Sequence, residues 1–228
     1  MLRRLVSALM RYELRRSFRR ICWVGDWPTL PPETPLVIYA NHHHFYDGHL
    51  LWWLITQILD RPGTTWMADW DRFPFFAAAG AQPFPPQAPA RRRATLRRTA
   101  RLFREQPDTI LAYFPAGRLH PPEDGIASFD AHHLEQLGRL FPDAQWWPLA
   151  IHVTWWGDAF PTALLTGDHV YPHPPQNGRS QLEQHWNTLR RERPPSVETL
   201  FEGRRSPSDH WSFAFARSFF ERYLSPDR

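Results

Sequence analysis

Lysine is absent from this sequence of 228 residues, so its 27 basic residues are all arginine. With 23 acidic residues the formal net charge is +4, and the pI is about 9.7. A basic chain of this kind suits acidic partners, such as phospholipid headgroups or phosphorylated carriers. A genome that favours arginine codons would explain the missing lysines equally well, because no fold or function requires their total absence.

Cysteine and long apolar runs are also scarce. The single cysteine, Cys22, excludes a disulfide framework and a zinc site built from several cysteines. No apolar stretch reaches the ~18 residues that a transmembrane helix needs, because Thr56 and Gln57 interrupt the longest run. Arg11 and Glu13 break the N-terminal apolar segment before a signal-peptide core could form. We therefore expect a protein that faces the cytoplasm and has no membrane-spanning helix.

Apolar residues make up 42% of the chain and aromatic residues 15%, which excludes a disordered protein. The length suffices for one substantial α/β core and is short for two full domains. We predict a single domain in three parts: a helix over 1–21, a core over 22–170 and a helical extension over 171–228.

The first of these parts has the pattern of a basic amphipathic helix. Its apolar residues recur at close to helical spacing, at Leu2, Leu5, Val6, Leu9, Leu14, Phe18 and Ile21. Its arginines occupy much of the remaining surface, at Arg3, Arg4, Arg11, Arg15, Arg16, Arg19 and Arg20. Such a helix lies in the headgroup layer of an anionic membrane. The alternative is a helix that packs its apolar stripe on the domain and leaves a solvated charged face outward.

The core alternates strand and helix patterns. Short runs rich in β-branched and aromatic residues predict buried strands at 36–40, 64–68, 109–114 and 146–153. Helical patterns fall between them at 48–59, where Asp47 is expected to cap the helix, and at 91–105. This alternation is typical of a mostly parallel sheet flanked by helices. Beyond the proline-rich boundary at 171–178, helices are predicted at 182–189 and 211–224.

The string "NHHHFYDG" (41–48) lies between the first of these strands and its helix, where α/β proteins expose reactive side chains. His42 and Asp47 can approach each other across such a turn, so that the carboxylate fixes the imidazole tautomer and supports a general base. The sequence shows no activated serine or cysteine nucleophile. A base without a protein nucleophile implies direct attack by a hydroxyl of the substrate.

A metal site is the main alternative use of this histidine-rich string. Three adjacent histidines, with His49 nearby, cannot all point at one ion, and no acidic or cysteine ligand pattern supports such a site, so we predict no metal. We expect His43 and His44 to lie at the surface of the loop without a catalytic role. A buried structural histidine is the alternative for His42.

The string "NHHHFYD" resembles the asparagine-His-x4-Asp motif of the glycerolipid, or lysophospholipid, acyltransferase family. Downstream, "DRFPFFAAAGAQPF" (71–84) resembles the second sequence block of that family, "YFPAGR" (113–118) the third and "WPLAI" (147–151) the fourth. The order and spacing agree over roughly residues 20–155. The resemblance implies an α/β domain with a cleft at the strand ends that holds His42 and Asp47.

The implied reaction is acyl transfer from acyl-coenzyme A or an acyl carrier protein to a hydroxyl of a lysophospholipid-like acceptor. The resemblance assigns the catalytic roles to His42 and Asp47, with no metal or prosthetic group. The implied substrate-binding residues are Asn41, Gly48, Phe114, Pro115, Gly117, Arg118, Arg91 and Arg92. The implied location is the cytoplasmic face of the cell membrane, as a peripheral protein, and the oligomeric state stays open.

The third block departs from the family pattern, because Ala116 stands where the family has glutamate. This departure favours two alternatives: an acceptor without phosphate, such as a glycolipid, a carotenoid glycoside or an aminolipid, or a homologue that has lost turnover. The arginines over 91–104 have alternatives of their own: a solvated face, lipid headgroups, donor phosphates or nucleic acid. We expect no nucleic acid, because no known binding motif accompanies the charge.

Overall fold

An eight-stranded sheet forms the centre of the computed structural model, which describes residues 1–190, 196–207, 214–217, 219 and 221. Its strands are β1 (Arg20–Val24), β2 (Leu36–Ala40), β3 (Gly63–Met67), β4 (Ala81–Pro83), β5 (Ile110–Tyr113), β6 (Gln145–Thr154), β7 (Thr162–Thr166) and β8 (Val197–Glu202). The helices are α1 (Leu2–Ser17), α2 (Asp47–Trp53), α3 (Pro89–Glu105), α4 (Ala131–Leu140) and α5 (Gly178–Arg190). A π-helical turn (Leu54–Ile58) continues α2, and short 3-10 turns cover Pro74–Ala79, Pro122–Asp124 and Ala214–Ala216.

The strand order is β4-β3-β5-β2-β6-β7-β1-β8. All neighbours are parallel except β6 with β7 and β1 with β8, which are antiparallel. This arrangement confirms the predicted class: one α/β domain with a mostly parallel sheet flanked by helices. It places the carboxyl end of β2, where the histidine string begins, between β5 and β6 near the middle of the sheet.

Strand β2 is buried on both faces, as the run "LVIYA" predicts. Leu36, Ile38 and Ala40 join the apolar cluster under α1 and α2. Val37 and Tyr39 join the cluster under α3, α4 and α5 on the opposite face. The strand therefore anchors the turn that carries the histidine string in the interior, because both of its faces are packed against side chains.

The N-terminal helix is shorter than predicted. It ends at Ser17, and Ile21 lies in β1 instead of continuing the helix. This segment forms a strand because Ile21, Trp23 and Val24 are β-branched or aromatic residues, which favour strands. Strand β1 pairs with β7 on one side and with β8 on the other. Helix α1 packs on the domain through a stripe of buried residues, Val6, Met10 and Leu14.

The described part of 171–228 contains a strand besides the predicted helical segment. It contributes α5 over the apolar cluster and then β8, which pairs with β1 at the edge of the sheet. Two further elements, α4 and β7, were not predicted, since loop-like sequence on both sides obscures their short patterns. Most of the helix predicted at 211–224 lies outside the described residues.

Arg61 organises the amino-terminal edge of the sheet. Its guanidinium donates hydrogen bonds to three backbone carbonyls, those of Asp108 (2.6 Å), Thr34 (2.6 Å) and Pro31 (3.1 Å). It therefore ties the loops that lead into β2 and β5 to the end of the α2 segment. A planar fork with several donors suits this task, which a lysine ammonium could not perform in the same geometry.

Gly80 permits the close approach of β4 to β3. Its φ is +95°, a left-handed conformation that favours glycine, and a Cβ there would lie 2.1 Å from the Gly63 carbonyl oxygen. The glycine of the second sequence block is thus required by backbone packing at the edge of the sheet.

Candidate active site

Asp47 is the centre of the turn between β2 and α2. Its side chain is 1% exposed, and its Oδ2 atom accepts hydrogen bonds from the backbone N–H groups of His43 and His44, each at 2.8 Å. The same oxygen lies 3.0 Å from Nδ1 of His42. The turn therefore wraps around one carboxylate oxygen, which fixes the carboxylate before any substrate arrives.

The predicted cap of α2 by Asp47 is wrong. The helix begins at Asp47 itself, after Tyr46, and no side chain caps its amino terminus. The carboxylate reaches back to the preceding turn because His42 and two backbone N–H groups offer it three donors there.

His42 has one defined tautomer in this geometry. An ionised carboxylate can only accept, so Nδ1 carries the hydrogen toward Asp47 and Nε2 keeps its lone pair. The imidazole stacks on the Phe114 ring with centroids 4.3 Å apart and planes inclined by 20°. Its side chain is 24% exposed, against 1% for Asp47. The structure thus leaves the imidazole partly exposed and keeps its supporting carboxylate in the interior.

Asn41 ties the turn between β2 and α2 to strand β6. Its side-chain amide donates to the Ile151 carbonyl (2.8 Å) and accepts from the Ile151 N–H (2.8 Å). The second amide hydrogen faces Nδ1 of His43 at 2.9 Å. Both amide hydrogens are thus engaged, and the residue is 3% exposed. Asn41 therefore positions the turn, and its assignment to substrate binding stays a prediction.

His43 is not a surface residue of the loop, contrary to the sequence prediction. Since its Nδ1 accepts from Asn41, its Nε2 donates to the Gly125 carbonyl at 3.0 Å. His120 packs edge-on against it, with centroids 4.5 Å apart, and the His120 N–H donates to the His42 carbonyl at 3.2 Å. His43 and His120 therefore join the loop after β5 to the turn between β2 and α2.

Sequence reasoning missed His120, and a usable signal was available. The residue lies three positions after the glycine of the third block, on the loop that must approach the first motif if the two blocks share one cleft. His120 is buried, and its Nε2 accepts from the Ala127 N–H at 3.1 Å.

The third block forms a tight turn after β5. The Gly117 N–H donates to the Phe114 carbonyl at 3.0 Å, and Gly117 adopts a left-handed φ of +64°. Pro115 and Ala116 occupy the middle of this turn. Arg118 follows as an exposed side chain, and within the residues described it forms no side-chain hydrogen bond or ion pair. The turn thus places Phe114 on His42 and leaves the Arg118 guanidinium available.

Gly48, which the resemblance assigns to substrate binding, is not required as glycine by packing or by backbone conformation. A Cβ at this position would meet no atom within 4 Å, and the backbone is helical. The space that a side chain at this position would enter, in the first turn of α2, is open.

Arg91 and Arg92 lie at the start of α3, away from the histidine pair. Arg91 forms a two-pronged ion pair with Asp71 (2.7 and 2.8 Å), and Arg92 lies over the Phe84 ring at 4.6 Å. Both follow β4, which is three strands from β2, or roughly 14 Å at the usual spacing between strands. The structure therefore places these two arginines apart from His42 and Asp47, and their role in substrate binding stays a prediction.

An aromatic rim borders the His42 turn. It consists of Phe45, Phe73, Phe75 and Phe76. His49 joins the parts of the rim, because its ring contacts both Phe45 and Phe76. Phe45 and Phe75 are exposed, so the approach to the site from this side is apolar.

Two partly buried histidines near the site give a testable pH dependence of stability. Burial, the largest cause in each case, lowers the pKa of His49 and of His152 from 6.5 to about 4. Between these values the unfolded chain binds protons that the folded chain does not. The free energy of unfolding should therefore fall as the pH is lowered from 6.5 toward 4 and keep this contribution in full above 6.5.

Urea unfolding across this pH range would measure the effect. Replacing His49 or His152 by glutamine should flatten the dependence, whereas the exposed His133 provides a control whose replacement leaves it unchanged. Identical slopes in the His49→Gln, His152→Gln and parent proteins would contradict the burial argument.

Within the described ranges, no group of three or more His, Cys, Asp or Glu side chains is placed to hold a metal ion. Nδ1 of His42 faces Asp47, and the two ring nitrogens of His43 face Asn41 and Gly125. What the arrangement offers chemically is one supported imidazole base beside an apolar approach and an exposed guanidinium.

No protein-family model matches the sequence, and no curated protein matches it. Among solved structures, the fold is similar to that of PlsC, the 1-acyl-sn-glycerophosphate (LPA) acyltransferase from Thermotoga maritima, with a TM-score of 0.54. The likeness covers 84% of this chain and 82% of that chain at 14% sequence identity. At this level of identity the likeness is one of fold, and it extends over most of both molecules.

Proposed function

We propose that this protein is an acyltransferase that moves a fatty acyl group from a thioester donor to a hydroxyl of a lipid-like acceptor. The observation that carries the proposal is the His42–Asp47 pair, with Nδ1 and Oδ2 3.0 Å apart at the carboxyl end of a central strand. The fold shared with an enzyme named as an LPA acyltransferase supports it. The four sequence blocks and their order support it as well.

In the proposed reaction, Nε2 of His42 removes the proton from the acceptor hydroxyl as its oxygen attacks the thioester carbonyl. The new C–O bond forms, the C–S bond breaks, and the imidazolium returns its proton to the departing thiolate. Asp47 stabilises the imidazolium through Nδ1 and keeps the ring in one tautomer. The stacked Phe114 ring restrains the imidazole from its other side.

The donor is proposed to be acyl-coenzyme A or an acyl carrier protein, and the mechanism needs no cofactor. On the acceptor side, Arg118 offers a guanidinium to a phosphate or another anionic group. The turn at 114–117 sets its place relative to His42, because Phe114 at the start of the turn contacts the imidazole.

We also propose that the protein works on the surface of an anionic membrane, at the cytoplasmic face. Besides the stripe that it buries against the domain, helix α1 has a second set of apolar residues that is exposed to solvent: Leu2, Leu5, Leu9 and Tyr12. Arg15 and Arg16 lie exposed in its last turn. Apolar residues for the acyl region and arginines for the headgroups are the two components that hold such a helix at a bilayer surface. No helix in the described part of the chain is long and apolar enough to cross a bilayer.

Glu13 connects this helix to the active site. Its carboxylate accepts a hydrogen bond from the Tyr46 hydroxyl at 3.2 Å, and Tyr46 immediately precedes Asp47. A bilayer that contacts α1 would therefore lie near the aromatic rim, so that a lipid acceptor could reach His42 without leaving the surface.

Ala116 favours an acceptor other than plain lysophosphatidic acid. A methyl group accepts no hydrogen bond, so Arg118 lacks the carboxylate that the resembling family places two residues before it. A flexible, exposed guanidinium gains less from binding a phosphate than a fixed one does. We therefore expect acceptors with larger or uncharged headgroups, glycolipids among them, to be acylated faster.

The test compares initial rates for lysophosphatidic acid, lysophospholipids with larger headgroups and glycolipid acceptors, with one labelled acyl-coenzyme A as donor. Ala116→Glu should shift the preference toward lysophosphatidic acid. Turnover of any acceptor that depends on His42 supports acyl transfer. A natural preference for lysophosphatidic acid would refute the argument from Ala116, and failure with every acceptor and donor would refute the function.

A further inference from the structure

The loop between β6 and β7, residues 155–161, lies at the same edge of the sheet as His42. Strand β6 is parallel to β2, so the carboxyl ends of both strands are at this edge. Its pairing with β2 ends at Leu149, and β6 then continues to Thr154 while paired with β7. The β6–β7 hairpin therefore extends beyond the end of β2, on the side of the sheet where the proposed reaction takes place.

A tight turn in this loop exposes Trp155. The Asp158 N–H donates to the Trp155 carbonyl at 2.7 Å, across Trp156 and Gly157, whose φ angles are +44° and +78°. A bulky side chain rarely adopts this left-handed conformation, and surrounding contacts must hold it there. Trp156 meets this condition, because it packs against the apolar cluster under α3, α4 and α5. Trp155 is 52% exposed. The turn thus fixes one indole against the domain and leaves its neighbour largely in solvent.

The end of α1 is joined to this loop. The Arg19 N–H donates to the Pro161 carbonyl at 2.8 Å, and the Arg19 guanidinium forms an ion pair with Asp158. The Arg20 guanidinium lies 6.0 Å from the centre of the Trp156 ring. The helix that we propose to contact the bilayer therefore ends against the hairpin loop.

Exposed arginines surround the junction. The Gly203 N–H donates to the Arg19 carbonyl at 2.7 Å, and the Arg204 N–H donates to the Phe18 carbonyl at 2.8 Å. These bonds bring the segment after β8 to the end of α1. Four exposed arginines come from the two segments, and within the described ranges none of them forms an ion pair: Arg15, Arg16, Arg204 and Arg205.

An indole and free guanidinium groups together suit the headgroup layer of an anionic bilayer. Tryptophan favours this layer because its ring is apolar and its N–H is polar. The guanidinium group binds lipid phosphate with paired hydrogen bonds. A stable protein interface has a core of several large apolar side chains, whereas Trp155 is the one large apolar side chain that residues 155–161 expose. The chemistry of this surface therefore favours a bilayer over a second protein.

We propose that the β6–β7 loop is a second membrane contact, in which Trp155 enters the headgroup layer and Arg204 and Arg205 bind anionic lipids. This inference rests on the proposed function, because it adds a second attachment to the one through α1. A protein held by one helix can rotate about the axis of that helix. Two separate contacts fix its orientation, and the position of the loop turns the sheet edge that carries His42 toward the lipid.

A fluorescent label at position 155 tests the contact directly. Cys22 is the single cysteine and is fully buried, so Trp155→Cys introduces one accessible thiol for an environment-sensitive dye. We expect a blue shift of the emission when vesicles of phosphatidylglycerol and phosphatidylcholine are added. Leu140→Cys is the matched control. Leu140 is 49% exposed and precedes the other end of the same strand, so a dye there should keep its emission in water.

Flotation with the same vesicles separates the two parts of the contact. Trp155→Ala should weaken binding at least about threefold at both low and high salt, because the contribution of the indole is not ionic. Arg204→Gln/Arg205→Gln should weaken binding to anionic vesicles at low salt and should have little effect at high salt, where these charges are screened. Leu140→Ala should bind as the parent does. All of these side chains are exposed, so the fold should persist.

An unshifted dye at position 155 on vesicles that bind the protein would overturn the loop contact and leave the contact through α1 in place. Equal shifts at positions 155 and 140 would show general adsorption and overturn it as well. A change of oligomeric state in Trp155→Ala, measured without lipid, would assign the indole to a protein interface instead. Acyl transfer to a short-chain soluble acceptor does not require the bilayer, so its rate tests the proposed reaction separately from the loop.

Discussion

The His42→Ala protein is expected to fold normally and to lose acyl transfer by a factor of at least about 10²–10⁴, the usual contribution of a positioned general base. The ring occupies a partly exposed place over Phe114, so its removal leaves the buried carboxylate turn with its two backbone donors. Turnover of labelled acyl-coenzyme A with a responsive lipid acceptor measures the rate, and circular dichroism checks the fold.

Asp47→Asn should reduce the rate less severely than His42→Ala, because an amide oxygen can still accept hydrogen bonds but carries no charge to support the imidazolium. His133→Ala is the matched control: it removes an imidazole from the exposed face of α4 and should leave the rate unchanged. Near-normal turnover in His42→Ala would remove the imidazole from the mechanism.

The second large effect is expected at the membrane. Leu5 is 66% exposed and Leu9 45% exposed on α1, and changing both to aspartate should weaken binding to anionic vesicles at least about tenfold. Two apolar side chains are lost from the bilayer, and two negative charges are added beside anionic headgroups. Flotation of the protein with vesicles of an anionic phospholipid measures the change.

A variant with the same acidic substitutions elsewhere provides the control: Gln136→Asp/Leu140→Asp on the exposed side of α4 should bind as the parent does.

Changing Arg15 and Arg16 to glutamate should also weaken binding, and high salt should mimic this effect. Deletion of the whole segment 1–21 is unsuitable as a test, because it would remove Val6, Met10 and Leu14 from the core and Ile21 from β1. Unchanged flotation of the Leu5→Asp/Leu9→Asp protein would exclude α1 as the membrane contact.

The buried centre of the fold could be predicted from sequence because its signals are local. The run at 36–40 is a strand with the predicted bounds, and the helix predicted over 91–105 is α3, which begins two residues earlier. Strand β8 could not be found in the same way: its sequence "VETLFE" is half polar, and it becomes a strand by pairing with β1. Strand propensity in such segments follows their neighbours in space more than their composition.

The candidate site likewise contains one feature that local sequence predicts and others that depend on residues distant in sequence. The pairing of His42 with Asp47 follows from their spacing across one turn, and the structure places their side chains in contact. The roles of Asn41 and His43 depend on Ile151 and Gly125, 110 and 82 residues away in the sequence. Sequence spacing carries no signal for such partners, so the positioning residues emerge only from the folded chain.

Strand β1 has a consequence for how the molecule is made. Both of its neighbours, β7 and β8, come much later in the sequence. The Val24 carbonyl accepts a hydrogen bond from the Thr166 hydroxyl, which is 142 residues away. A ribosome therefore releases α1 and β1 long before either pairing partner exists. Contacts of such long range slow folding and leave apolar segments uncovered meanwhile. During synthesis, the stripe of α1 that packs on the domain, Val6, Met10 and Leu14, therefore stays uncovered until the sheet has formed.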